Sequence, residues 1–256
     1  VNVPQDTPVA AAWPVFVISL ADAQDRRRRI LDQCAAIGIV PLIVDAVDGR
    51  SGLPPDRERQ VDRAGAQARA GRPLSDAELA CALSHQQIHQ WIVSEGLPGA
   101  VILEDDAILT PLFALFLQGG GHLAGDFVQM DHMDARVWYA RRRQWSPEIA
   151  LIPLAENASL ATGYCLSARG ARHVLAHATP VAGLADWPCD MSPLGAVVTW
   201  PRLVDHPPFA TSGSAIEAGR RALVAGQAPP QDRQRRFLRA DYWRRWWFKR
   251  RTRKIS

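Results

Sequence analysis

Lysine is almost missing from this 256-residue chain: Lys249 and Lys254 are the only two, both close to the C-terminus. A body without lysine has neither a P-loop cation nor a Schiff-base amine, which excludes a Walker-type nucleotidase and a pyridoxal enzyme. There is no G-x-G-x-x-G either, and Gly119-Gly120-Gly121 reads as a plain loop. No apolar run reaches the ~18 residues that a membrane-spanning helix needs. Cysteine is scarce, and Cys34, Cys81, Cys165 and Cys189 match no zinc or redox spacing. Four reduced thiols in a cytosolic setting, mostly core fillers, are expected. Residues 1–14 are rich in Ala and Pro and lack a basic segment ahead of an apolar one, so no signal peptide is expected.

What is present suits one α/β domain with an appendage: the chain is 47% hydrophobic, and its charge is unevenly placed. Residues 231–256 hold 11 Lys or Arg against 2 Asp, a net +9, and the whole chain is +4, which leaves the body at −5. A mildly acidic body over 13–230 and a strongly basic tail over 231–256 face different partners.

The stretch Ala100-Val101-Ile102-Leu103-Glu104-Asp105-Asp106 organises the rest. It reads as a buried strand whose end delivers three carboxylates to the rim of a sheet, where open α/β sheets bind ligands. Adjacent acids repel unless a cation or a hydrogen-bond network holds them. Oxygen ligands at this density suit Mg²⁺ or Mn²⁺, ions that bridge nucleotide phosphates. The competing reading is a strand end followed by a solvated acidic turn.

Taken in order, Val15 to Leu20 is a first strand, Asp22 to Ile37 a helix and Ile39 to Val44 a second strand. That order predicts a parallel pair with a right-handed crossover. Arg26 to Arg29 cannot all share one helix face; they read as surface solvation, with a phosphate contact by Arg26 or Arg27 as the alternative. Residues 50–74 lose periodicity and read as a long mobile loop able to close over a ligand. Ser75 to Glu78 is a capping box that starts a helix ending near Gly96. His85 and His89 on that helix have zinc spacing without the Glu of H-E-x-x-H, so one packed and one surface histidine are expected. A capped helix follows Thr110-Pro111, and Asp126 to Met130 is a short strand. Asp131 to Asp134 is read as an ordinary polar loop, with a second acidic strand end as the alternative. Arg136 to Arg143 shows no clear element. Tyr164 to Ser167 is a strand, Ala168 to His177 a helix and Val197 to Trp200 a late strand, with a loop over 202–214.

Several pieces, in this order, resemble one family. They are Val17-Ile18-Ser19-Leu20 with Asp25-Arg26-Arg27, then Asp45-Ala46-Val47-Asp48-Gly49, Glu78 to His85, and Ile102 to Asp106. Thr162-Gly163-Tyr164, Ala185-Asp186, and Pro201-Arg202-Leu203-Val204 with Ser214-Ala215-Ile216 continue the series. The set is similar to glycosyltransferase family 25, the lipooligosaccharide galactosyltransferases and relatives of the procollagen galactosyltransferases, over about residues 13 to 216. The resemblance implies a GT-A-like α/β fold, Rossmann-like, with a mostly parallel sheet flanked by helices. It implies a UDP-sugar donor, usually UDP-galactose, a divalent cation, usually Mn²⁺, a glycan or glycolipid acceptor, and inversion at the anomeric carbon. Glu104 and Asp106 then hold the metal, and Asp105 supports the turn beside the nucleotide. Ser19, Leu20, Arg26, Asp48 and Gly49 line the nucleotide, and Ser84 and His85 flank the sugar-phosphate. Asp186 is the expected catalytic base, with Asp190 and Asp131 as rivals. The family often shows Gln where this chain has His206, which is either a further metal ligand or surface decoration.

The tail combines Arg with Leu238, Tyr242, Trp243, Trp246, Trp247 and Phe248, and Arg245 and Lys249 fall on another side. A basic amphipathic helix of this kind lies on an anionic membrane. A peripheral place on the cytoplasmic face of the plasma membrane is therefore expected, with a docked core helix or an RNA-binding arm as alternatives and no nucleic acid as partner. The competing account of the whole chain is a non-enzymatic membrane- or nucleic-acid-binding module whose acidic strand end is structural.

Overall fold

The computed structural model of the chain describes residues 13–208 and 240–256, with side chains in the second segment from Trp246 onward. The first unit is β1 (Val15–Ser19), α1 (Gln24–Ala36) and β2 (Leu42–Asp45), the two strands paired in parallel from Phe16–Leu42 to Ser19–Asp45. Ile30 and Cys34, one turn apart, are the buried residues of α1, while Arg28 and Arg29 stay exposed.

Residues 50–74 are not a structureless loop. They contain α2 (Pro55–Glu58) and α3 (Arg63–Ala70). Asp62 caps α3 by accepting the Gly65 N–H at 2.9 Å, and Gly71 ends it at φ 69°. Ala66 and Leu74 pack with Val181, and Val61 bridges to Val181. The order here comes from a contact far along the chain, which local periodicity does not report.

α4 (Asp76–Ser94) starts at the expected capping box: Ser75 Oγ accepts the Glu78 N–H, and the Glu78 carboxylate accepts the Ser75 N–H. Glu78 is 3% exposed, and Arg72 donates to both of its oxygens. The chain continues through β3 (Gly99–Glu104), β4 (Ile108–Leu109), α5 (Pro111–Gln118), β5 (Phe127–Gln129), β6 (Ala135–Val137) and β7 (Arg143–Gln144). Then come β8 (Ala150–Pro153), β9 (Gly163–Ser167), α6 (Ala168–Ala178), β10 (Val197–Trp200) and β11 (Val204–Asp205).

Eight strands form one sheet in the order β2-β1-β3-β9-β5-β10-β8-β7. β2, β1, β3, β5, β10 and β7 point one way, and β9 and β8 run against them. Alternation along each strand separates two apolar layers. Phe16, Ile18, Ile102, Tyr164 and Leu166 face Ile88 and Ile92 of α4 and Val174 of α6. Val17, Val101, Leu103 and Cys165 face Ile30 and Cys34 of α1 and Phe113 and Phe116 of α5. Each fully buried large side chain contributes roughly 1.5–3 kcal/mol, which is what holds the strand ends rigid at the rim. All four cysteines are free thiols. The architecture is the expected GT-A-like α/β sandwich.

The tail ends in α7 (Ala240–Arg251) and β12 (Arg253–Ile255). β12 pairs antiparallel with β6, which gives the Arg136 region a partner that the sequence did not reveal. Ile255 is buried with Ala135 and Val137, and Phe248 meets Trp138 edge to face at 5.8 Å. The expectations for Ser214-Ala215-Ile216, Leu238, the boundary at 230/231 and the side chains of Tyr242, Trp243 and Arg245 lie outside the described residues.

Candidate active site

β1 lies between β2 and β3 in the sheet, so the order of connection reverses at its carboxyl end. A crevice opens at such a switch point. Ser19 closes β1 there and Glu104 closes β3. A cavity at this place is lined by Ser19, Leu20, Arg26, Asp48, Gly49, Ser84, Glu104, Asp105 and Asp106, with Cys81 beside them. His85 sits behind its wall, with Nε2 3.0 Å from Glu104 Oε1.

The triplet divides its work. Asp105 is 7% exposed, accepts the Ser19 hydroxyl at 2.6 Å, and pairs with Arg26 at 3.4 Å. It ties the end of β3 to the end of β1. Burial pushes its carboxyl pKa up, against the pull of Ser19 and Arg26. Arg27 braces the neighbouring strand ends instead, donating to the Ser19 carbonyl at 3.0 Å and to Asp45.

The segment 46–50 is clamped to α4. Ser84 Oγ accepts the Val47 N–H at 2.9 Å and donates to the Ala80 carbonyl at 2.7 Å. Gly49 runs so close to the start of α4 that a Cβ would lie 2.3 Å from the Asp76 carbonyl oxygen. Only glycine fits there. Asp48 accepts from the Arg50 side chain and backbone, which hold its carboxyl below the usual range, and Arg50 also reaches Asp22 at 2.9 Å.

Asp106 is different. Its Oδ1 is buried with no hydrogen-bond partner among the described residues. Burial first, then the charges of Glu104 and Asp105, push its pKa to about 7. A buried carboxylate oxygen beside two more acids and one nearby guanidinium is a place short of positive charge. The donor set of Glu104 and Asp106 fits a hard divalent ion such as Mn²⁺ or Mg²⁺.

Behind Glu104 runs a buried polar chain. His85 Nδ1 is 2.9 Å from the Tyr164 hydroxyl, and that hydroxyl is 2.9 Å from His89 Nε2. Both histidines are buried, at 2% and 4% exposure, so the expected surface histidine is absent. Burial, with His85 nearby, lowers the His89 pKa to about 3 and keeps it neutral. One set of tautomers satisfies all three contacts: Glu104 Oε1 accepts from His85 Nε2–H, His85 Nδ1 accepts the Tyr164 O–H, and His89 Nε2–H donates to the Tyr164 oxygen. Cys81 and Tyr164 lie within the motifs Glu78 to His85 and Thr162-Gly163-Tyr164, but nothing local says that a strand 79 positions away supplies the partner of His85.

Asp131 is not in an ordinary polar loop. It is fully buried, with His206 Nδ1 at 2.9 Å and Arg202 at 3.6 Å, and burial pushes its pKa up. Asp131, Asp205 and His206 present ligand atoms within 4.8 Å of one another. β11 pairs with β4 through Asp205–Ile108, so Asp205 stands opposite a residue two positions past Asp106. His206 is therefore a bonded, largely buried side chain rather than decoration.

Asp186 does not line the cavity, but its charge is felt by the Cys81 thiol. Trp187, at φ 56°, wedges its ring against Phe127 at 4.2 Å and Tyr164 at 4.9 Å. A non-glycine residue in the left-handed region is a conformation that packing must hold, and here it fixes where Asp186 stands. Asp190 is exposed and accepts from the Ser192 N–H and hydroxyl, which lower its pKa.

The sheet order, the crevice and the acidic rim define an α/β protein of the GT-A-like class. The chain belongs to glycosyltransferase family 25 (LPS biosynthesis protein), whose family model matches residues 12–192. It is 30% identical over 187 residues to procollagen galactosyltransferase 1 of Danio rerio, covering 67% of this chain and 30% of that protein. It is 30% identical over 168 residues to lacto-N-neotetraose biosynthesis glycosyltransferase LgtE of Neisseria gonorrhoeae, covering 62% of this chain and 58% of that one. A probable inactive glycosyltransferase 25 family member 3 of Bos taurus is 34% identical over 172 residues, covering 63% and 28%. The chain thus spans less than a third of the large animal relatives and over half of the bacterial one.

Proposed function

We propose that this chain transfers a hexosyl group, galactose being the first candidate, from a UDP-sugar to a lipooligosaccharide or other glycan acceptor with inversion. The observation that carries the reading is Asp106 Oδ1, a buried carboxylate oxygen without a hydrogen-bond partner among the described residues, at the crevice beside the switch point. Glu104 and Asp106 would hold Mn²⁺ or Mg²⁺, and a cation bound there offsets the charge that develops on a departing diphosphate. Arg26 and Arg50 line the same cavity and supply the protein's own positive charge. Asp105 and Ser19 keep the two strand ends together, and the clamped Asp48-Gly49 segment walls the nucleotide side. Asp186 is our candidate to take the acceptor hydroxyl proton. Asp190 is turned to Ser192, and Asp131 is enclosed by His206 and Arg202.

The names of the zebrafish and gonococcal relatives support hexose transfer. The name of the cattle relative favours a second reading, a sugar-nucleotide-binding module without turnover. Thermal shifts against a panel of UDP-sugars, with and without Mn²⁺, test the shared part, because a ligand of the folded state raises its apparent stability. Metal-dependent shifts with slow release of UDP support the enzyme. Shifts without any release support the module, and no shift with any nucleotide sugar overturns both.

For the tail we propose an anionic membrane surface on the cytoplasmic side. Trp247 is 56% exposed, Arg251 stacks over its ring at 5.3 Å, and Arg250 over Trp246 at 4.2 Å. Rings at the headgroup level with arginines beside them suit that interface. No helix among the described residues is long and apolar enough to cross a membrane. Deletion after Ala228 is expected to abolish sedimentation with anionic vesicles. Because deletion also exposes the edge of β6, the intact variant Trp247→Ala/Arg251→Ala is the cleaner probe and should sediment less. Unchanged sedimentation of both would remove the membrane role.

A further inference from the structure

Three side chains converge behind the acidic rim. Cys81 Sγ is 4.0 Å from Glu104 Oε1, His85 Nε2 is 3.0 Å from the same oxygen, and the three ligand atoms all lie within 4.8 Å of one another. Cys81 and His85 are one turn apart on α4, so the thiol and the imidazole share a face. Sulfur, nitrogen and one carboxylate oxygen make a donor set for a borderline-soft ion, whereas Mn²⁺ and Mg²⁺ prefer oxygen. We propose that Cys81, His85 and Glu104 form a second cation site, for Zn²⁺ or an ion of like chemistry, which takes Glu104 away from the nucleotide's hard cation and so inhibits.

The buried chain behind His85 is built to allow this. To bind a metal, Nε2 must be bare and Nδ1 must carry the proton. Nδ1–H then donates to the Tyr164 oxygen, and the Tyr164 O–H donates to His89 Nε2, over the same 2.9 Å contacts. Neutral His89 is able to accept. For this the His89 proton moves from Nε2 to Nδ1, which has no hydrogen-bond partner among the described residues in either tautomer, so the reversal trades an unpaired lone pair there for an unpaired N–H. The Cys81 proton leaves to solvent as the sulfur–metal bond forms, and thiolate plus carboxylate balance the two charges of the ion. Cys81 and Glu104 line the cavity, which leaves the fourth tetrahedral position open to it. The binding of Zn²⁺ stands by itself, and its inhibitory effect rests on the proposed nucleotide site.

Co²⁺ titration of the full, metal-free chain is the test, cobalt being a spectroscopic stand-in for zinc. The expected result is a thiolate-to-cobalt charge-transfer band and tetrahedral visible bands, both removed by Zn²⁺. Cys81→Ser should lose the band, and Cys189→Ser should keep it. Tyr164→Phe should weaken Zn²⁺ about tenfold, because a ligating histidine loses the group that orients it. In the unaltered protein, Zn²⁺ should protect Cys81 from alkylation, read by peptide mass spectrometry, which needs no variant to fold. No cobalt band, a band that survives in Cys81→Ser, or alkylation of Cys81 indifferent to Zn²⁺ overturns the proposal. UDP affinity in Mn²⁺ is measured on the same sample. Normal UDP binding without a cobalt band sinks this site alone, and a cobalt band without UDP binding sinks the nucleotide reading alone. UDP binding untouched by saturating Zn²⁺ overturns the inhibitory part.

Discussion

Asp106→Asn is expected to lower sugar transfer by about a hundredfold or more while making the metal-free protein more stable at pH 8. The first effect follows from removing a charged ligand for the ion that meets the leaving group's charge, and groups of that kind contribute about 10²–10³ in rate. The second follows from linkage. The carboxyl titrates at about 7 in the folded protein against 3.8 unfolded, raised by burial and then by Glu104 and Asp105. Between those values the folded state holds more protons than the unfolded state, so this group's contribution to stability falls as pH rises and is lost above about 7. Asn carries no charge to bury, and the gain at pH 8 is on the order of 2 to 4 kcal/mol. Melting curves at pH 5 and pH 8 should therefore diverge for the natural protein and converge for the variant. A variant less stable at both pH values would mean that Asp106 serves the fold and not a ligand.

Arg72→Ala is expected to cost about 3–5 kcal/mol. Arg72 grips both oxygens of Glu78, which is 3% exposed, and its removal leaves a buried carboxylate with only the capping contacts to Ser75. The damage falls at the start of α4, the helix that carries Cys81, Ser84 and His85. Burial alone would raise the Glu78 pKa, but Arg72 and the Ser75 N–H together hold it below 4.5. Its stabilisation is thus present above the unfolded pKa and is lost on acidification through the lower, folded one. The variant should lose that acid-sensitive step. Adding Glu78→Gln, which keeps the cap and drops the charge, should recover most of the stability, as a double-mutant cycle in urea would show. An Arg72→Ala protein as stable as the parent would contradict the pairing.

Much of the first half of the fold is legible in residue order alone. Ile30 and Cys34 announce the buried face of α1, Ser75 and Glu78 announce the start of α4, and the apolar run before Glu104 announces β3. The rest depends on long-range partners. β9 inserts antiparallel between β3 and β5, a choice of neighbour that no local pattern encodes. Ala150–Pro153 becomes a strand because β10 lies beside it. Residues 50–74 are ordered by Val181, and His89 is buried because Tyr164 meets it from across the sheet. At the site, the acidic rim could be read from the chain, whereas the Asp48-Gly49 wall followed from the resemblance to the family. The enclosure of Asp131 by His206 and Arg202 could not, since their positions lie over 70 residues apart.

Calorimetry of UDP binding, run with and without Mn²⁺ on the natural protein and on Asp106→Asn, decides whether the acidic rim holds a cation for the nucleotide. Binding should saturate, need the ion and rise with pH through about 7, with no measurable heat from the variant. Binding of equal strength without the ion, or in Asp106→Asn, would contradict that role.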